Sequence, residues 1–108
     1  MTKRMIVEGK TKNDKIDSRD FTEKVLNNLV KEIKMKKLTE PLVVRGNSVP
    51  GLTGVVIIET SHIILHTYTD TGKIALDVYS VKNFDKKKVI KFLDKAYGLK
   101  NVKIKTVK

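Results

Sequence analysis

Residues 51–81 read GLTGVVIIETSHIILHTYTDTGKIALDVYSV. Two apolar, β-branched runs, Val55–Ile58 and Ile63–Leu65, flank the polar cluster Glu59-Thr60-Ser61-His62. That pattern predicts two strands joined by a short polar turn. On the second strand Ile63 and Leu65 face one way, while His62, Ile64, His66 and Tyr68 face the other. Asp70-Thr71-Gly72 carries the next turn. Ile74–Tyr79 then alternates cleanly, with Ile74, Leu76 and Val78 opposite Ala75, Asp77 and Tyr79. Both histidines of the chain fall in this stretch, within five residues of Ser61.

Working outward, Lys3–Glu8 is β-prone, and the polar segment from Gly9 to Ser18 reads as a loop. Asp20-Phe-Thr-Glu23 has capping-box spacing. Phe21, Val25, Leu29 and Ile33, with Leu26 and Val30 beside them, then form one apolar stripe, which predicts a helix from about Phe21 to Lys36. Pro41 stops it. Leu42-Val43-Val44 reads as a strand and Arg45-Gly46-Asn47 as a turn. On the far side, Asn83 is placed to cap a helix over Phe84–Tyr97, with Val89, Leu93, Ala96 and Tyr97 as its core stripe. Gly98-Leu99 is a stop of the Schellman type. Val102 and Ile104 alternate in a last strand. The order predicts an α+β fold, a two-layer sandwich in which two helices cover one face of an antiparallel sheet. The opposite face mixes apolar, aromatic and ionisable groups, as expected where a second sheet covers it and a ligand sits between.

With 108 residues, positions 1–108 read as a single domain with one core, too small to enclose a deep pocket alone. A substrate site forms more comfortably between two copies. The formal charge is +11, and of 23 basic residues only three are arginines. Lysines dispersed over both helices and both ends read as a solvated surface. No alternation of basic and aromatic residues suggests a base-stacking platform, which argues against a nucleic-acid partner despite the charge. Cysteine is absent, so thiolate chemistry and disulfides are excluded. No apolar run approaches a membrane span, and Met1–Lys12 lacks the apolar core of a signal peptide, so a cytoplasmic protein with no membrane partner is expected.

Taken alone, Ser61 is an ordinary turn residue and His66 an ordinary strand histidine. No carboxylate has triad spacing and no G-x-S-x-G surrounds the serine, so a conventional hydrolase is disfavoured. The two histidines with Asp70 nearby lack a familiar metal-ligand spacing, and no metal is expected. The combination is more telling. Gly51-Leu-Thr53-Gly54-Val-Val-x-Ile-x-Thr60-Ser61-His62-Ile-x-x-His66-Thr67-Tyr68, followed by Ala75-x-Asp77-x-Tyr79, resembles the core of the prokaryotic S-adenosylmethionine decarboxylase proenzyme family.

The resemblance implies a pyruvoyl-dependent decarboxylase of polyamine (spermidine) biosynthesis. Its substrate would be S-adenosylmethionine or a related amino acid such as arginine. It implies autocatalytic cleavage between Thr60 and Ser61 into chains 1–60 and 61–108, with Ser61 becoming the pyruvoyl cofactor that forms a Schiff base with substrate. By the same resemblance His66 and Thr53 assist cleavage, Tyr68 and Asp70 bind substrate, and the active form is a homodimer. Two positions depart from the family pattern. Thr60 replaces a glutamate, and Val81 replaces the cysteine that serves the family as proton donor. Valine cannot donate a proton, although His62 or water could take its place. An alternative follows from that loss: a paralogue deficient in processing or turnover, acting as a ligand-binding or regulatory partner of a true decarboxylase.

Overall fold

The computed structural model describes residues 3–107. Its elements run β1 (Lys3–Lys10), α1 (Arg19–Glu32), β2 (Leu42–Arg45), β3 (Gly51–Ile58), β4 (Ser61–Tyr68), β5 (Lys73–Ser80), α2 (Lys86–Tyr97) and β6 (Lys100–Val107). The six strands form one sheet in the order β2-β3-β4-β5-β1-β6, every neighbouring pair antiparallel. Both helices lie on one face, so the α+β two-layer sandwich expected from the residue pattern is the observed fold.

The helix-side face is built by the predicted alternation. Met5 and Val7 of β1, Val56 and Ile58 of β3, Ile63 and Leu65 of β4, and Ile74, Leu76 and Val78 of β5 are all sealed from solvent. Val25, Leu26, Leu29 and Val30 of α1, with Val89, Leu93 and Tyr97 of α2, close over them. Phe21 meets the Tyr97 ring edge-on at 5.3 Å, joining the two helices. Gly54 is needed where α1 crosses β3, since a Cβ there would stand 2.6 Å from the Leu26 Cδ1. Gly51 has φ 151°, and its added Cβ would meet the Thr67 carbonyl across the β3–β4 pair.

Several local expectations are corrected. The N-cap of α1 is Ser18, whose Oγ accepts from the Phe21 N–H at 3.1 Å, so the helix starts one turn-fraction earlier than an Asp20 cap allows. It ends at Glu32 rather than Lys36, and Lys34 takes the left-handed conformation (φ 58°) that turns the chain away. The 9–18 segment is only partly loop. Gly9 and Lys10 extend β1, and Asp14–Asp17 form a 3-10 turn that buries Ile16. Asp85, not Asn83, caps α2. Gly98 ends it with φ 70°, but the Leu99 N–H donates to the Asp94 carboxylate at 2.9 Å instead of the helix carbonyl a Schellman stop would use. No helix among the described residues is long and apolar enough to cross a membrane.

Candidate active site

Ile58 of β3 pairs with Ser61 of β4, which leaves only Glu59 and Thr60 to turn the chain. Two-residue hairpins whose twist matches the strands want glycine or asparagine at their left-handed positions. Here Thr60 takes φ 46°, a region where a β-branched residue is an outlier. The left-handed conformation costs about 1–2 kcal/mol for a residue with a Cβ. It persists because the neighbourhood fixes the turn. The Thr60 Oγ1 donates to the Glu59 carbonyl at 2.8 Å, and the Glu59 N–H reaches the Lys36 carbonyl at 3.3 Å. The Leu38 N–H donates to the Ile57 carbonyl at 2.8 Å. Immediately after the strained residue, Ser61 is buried, and its Oγ accepts the Val81 N–H at 3.0 Å.

The uncovered face of the sheet carries two further groups. Near Ser61, the His62 ring stacks on Tyr79 with centroids 5.5 Å apart. Its Nε2 stands 3.9 Å from the Asp77 Oδ2, sealed from solvent and without a hydrogen-bond partner. Asp77 is itself gripped by Arg4, whose Nε and Nη2 donate at 3.1 and 2.9 Å. That pairing holds the Arg4 guanidinium above its usual pKa through hydrogen bonding and then charge. Arg4, Ile57, Thr60, Ser61, His62 and Tyr79 line an open depression of ≈ 560 Å³.

At the other end of β4, Thr53 and His66 are directly cross-strand, with Thr53 Oγ1 and His66 Nδ1 2.9 Å apart. They border a small cleft of ≈ 130 Å³ with Gly51 and Tyr68. The Tyr68 ring lies 6.5 Å from that of His66, and the Lys73 ammonium sits over it at 5.8 Å. Asp70 is exposed in the following turn and takes part in no ion pair among the described residues.

The structure therefore brings Thr53 to His66 and Ser61 to Val81, but it does not bring Ser61 to His66. Ser61 pairs with Ile58 and shares the helix-side alternation of Ile63 and Leu65, whereas His66 lies on the uncovered face. Five residues of strand separate them by roughly 16 Å.

Residues 3–108 match the family model described as S-adenosylmethionine decarboxylase. The chain belongs to that family. An S-adenosylmethionine decarboxylase proenzyme of Persephonella marina is 35% identical over 95 residues, which cover 87% of this chain and 66% of that protein. The proenzyme of a Sulfurihydrogenibium species is 32% identical over 94 residues, with the same shares. Clostridium botulinum proenzymes are 34% identical over 58 residues, 53% of this chain. The chain spans about half the length of these clostridial relatives, the matched share being 50%. The fold is shared with the crystal structure of the adenosylmethionine decarboxylase from Aquifex aeolicus. It has a TM-score of 0.84 and 21% identity, over 99% of this chain and 88% of that one.

Within this S-adenosylmethionine decarboxylase fold, reading the sequence missed the participation of Arg4. The alternation of β1 places Arg4 on the same side as Ile6 and Glu8. Nothing in that alternation says that β1 inserts beside β5, opposite Tyr79 and Asp77. The placement of Asp77 and Tyr79 on the His62 side did follow from the alternation of β5, and the register confirms it by pairing His62 with Tyr79.

Proposed function

We propose that this chain is a self-cleaving precursor of a pyruvoyl-dependent decarboxylase acting on S-adenosylmethionine in polyamine synthesis. The observation that carries this reading is the left-handed Thr60 set directly before a serine whose oxygen is positioned by the Val81 amide. In the cleavage step the Ser61 Oγ attacks the Thr60 carbonyl carbon. The peptide C–N bond breaks as the C–O ester bond forms, and the hydroxyl proton passes to the freed amine. Elimination then removes the Ser61 Cα proton and breaks the Cβ–Oγ bond, releasing a chain of residues 1–60 with a free carboxylate, and the enamine left on residue 61 takes a proton at Cβ. Water replaces the nitrogen left on residue 61, freeing ammonia, and a ketone caps a chain of residues 61–108. The single domain thus persists as two associated chains. The residues fit this precursor role, since the group is made from Ser61 itself and needs no separate cradle. Once formed, the ketone supplies the electron sink for the pair left when carbon dioxide departs.

A weak alcohol needs a neighbour to take its proton; Ser61, at the end of β4, borders the depression on the uncovered face, but in one chain His66 stands roughly 16 Å along the strand from it. A second copy supplies it. The uncovered face exposes Leu42 at 65%, Val44 at 51% and Ile57 at 47%, an apolar surface suited to burial against a like surface. A two-fold axis lying between two such sheets and running across the strands sets the Ser61 end of each β4 against the His66 end of its partner. The Thr53 hydroxyl then orients the partner-facing imidazole. Tyr68 offers an aromatic face to a sulfonium or adenine group, and Asp70 a carboxylate for hydroxyls. The homodimer is thus the assembly in which the cleavage site is complete.

Release of labelled carbon dioxide from carboxyl-labelled S-adenosylmethionine tests the activity, with borohydride reduction of the carbonyl as the control. Release that borohydride abolishes is expected. No release from cleaved protein, or release indifferent to borohydride, overturns the reading.

A further inference from the structure

Loss of carbon dioxide leaves the substrate's α-carbon in need of a proton, and position 81 holds a valine, whose side chain has none to give. We infer that His62 returns that proton, with Asp77 as its positioning residue. The inference rests on the decarboxylase reading and adds the donor to it.

The depression beside Ser61 leaves few choices. Of Arg4, Ile57, Thr60, Ser61, His62 and Tyr79, only an imidazole exchanges protons readily near neutral pH. A phenol ordinarily titrates near 10, and a guanidinium keeps its proton at any pH the fold experiences. His62 and Ser61 line this same depression, so the His62 ring borders the site of chemistry whichever copy supplies the remaining groups. Its two nitrogens are not equivalent. Nε2 is sealed against the Asp77 carboxylate at 3.9 Å, whereas Nδ1 is not among the buried unpartnered atoms. The imidazolium can therefore keep its Nε2 proton facing Asp77 and deliver from Nδ1, ending as the neutral Nε2–H tautomer. The proton is regained from solvent for the next turnover. Stacking on Tyr79 fixes the ring plane.

The groups facing this ring are few. From β5 come the Asp77 carboxylate, 3.9 Å from Nε2, and the Tyr79 phenol. From β1 comes the Arg4 guanidinium, which is bound to Asp77. From β3 comes Ile57, which does not titrate.

The test uses the purified, self-cleaved protein with His62→Asn and Asp77→Asn variants, supplied with S-adenosylmethionine. For His62→Asn, cleavage should persist while turnover falls about 10²- to 10⁴-fold. A second readout is the mass of chain 61–108. If the proton lands instead on the carbon of the chain's own ketone, hydrolysis leaves the substrate nitrogen on the chain as an alanyl terminus and releases an aldehyde in place of the amine. Accumulation of the alanyl form in His62→Asn supports the inference. Turnover within a few-fold of the parent with the ketone terminus intact overturns it. Should His62→Asn fail to cleave, Asp77→Asn decides. Losing the carboxylate leaves the ring unpositioned, so the alanyl form should accumulate in Asp77→Asn as well, and turnover within a few-fold of the parent with the ketone terminus intact overturns the inference. A parent protein that stays uncut overturns both this inference and the reading beneath it; a cut parent with an indifferent His62→Asn overturns this inference alone.

Discussion

Replacing Thr60 by glycine isolates the contribution of backbone strain to self-cleavage. Thr60 carries φ 46° in the two-residue turn that ends at the scissile bond. Removing its Cβ relieves about 1–2 kcal/mol of left-handed penalty. If that strain is released as the peptide bond opens, the uncut state of the glycine variant is stabilised relative to the transition state by the same amount. At about 1.4 kcal/mol per factor of ten, cleavage should slow by about 5- to 30-fold. The ground-state side can be measured separately in a Ser61→Ala background, which cannot cleave. There Thr60→Gly gains the strain energy but loses about 0.5–1 kcal/mol to the greater freedom of unfolded glycine. The net should lie between roughly zero and 1.5 kcal/mol of added stability by urea unfolding. Thr60→Asn, whose side chain tolerates this region without glycine's flexibility, should slow cleavage less than glycine does. The assay is a time course of intact mass on freshly refolded protein. A glycine variant that cleaves as fast as the parent, or faster, would show that strain at residue 60 does not drive the reaction.

His66→Ala should slow cleavage by about 10²- to 10⁴-fold, the usual contribution of a positioned proton acceptor. Refolding it together with Ser61→Ala chains should restore cutting of the His66→Ala chain alone, and mass spectrometry that finds no cut chain in the mixture would refute a site shared between copies. Gly54→Ala should destabilise the fold by about 1–3 kcal/mol in urea unfolding, because its methyl group would press the Leu26 Cδ1. Tyr97 gives a pH prediction. Its hydroxyl is buried without a hydrogen-bond partner, Thr22 beside it spends its own hydroxyl on the Ser18 carbonyl, and burial pushes the phenol up to about 12. Because the folded value lies above the unfolded value near 10, the stabilising difference is complete below pH 10 and is lost as pH rises toward 12. Tyr97→Phe should flatten thermal stability over that window, and an equally steep decline in the variant would count against the assignment.

The periodic parts of the fold were readable because each strand and helix buries one side. Ile63, Leu65, Ile74, Leu76 and Val78 alternate in sequence and are all fully buried in the structure. Boundaries were less legible where competing caps sit close together. Ser18 and Asp20 both suit an N-cap, as do Asn83 and Asp85, and the choice depends on which backbone N–H each side chain reaches in the folded turn. The 3-10 turn at residues 14–17 has a single apolar residue, Ile16, and no period to reveal it. What holds it is a long-range contact, the Thr67 hydroxyl donating to the Ile16 carbonyl at 2.9 Å. For the site, the alternation of β4 placed His62, His66 and Tyr68 together on one face. The same alternation implies that Ser61 faces away from His66, a consequence that gains meaning only once β3 and β5 fix which face the helices cover. The strain at Thr60 had no sequence signal beyond a threonine where a tight turn prefers glycine or asparagine.

If the bond between Thr60 and Ser61 opens by the protein's own action, intact mass of the purified protein shows it without any substrate present. Incubation under native conditions should convert the full-length species into two, residues 1–60 and residues 61–108, the second resisting Edman degradation because a ketone has replaced its amine. A Ser61→Ala protein treated alongside should remain whole. A parent protein that keeps one undivided mass throughout, or whose second fragment bears an ordinary serine terminus, would contradict the account.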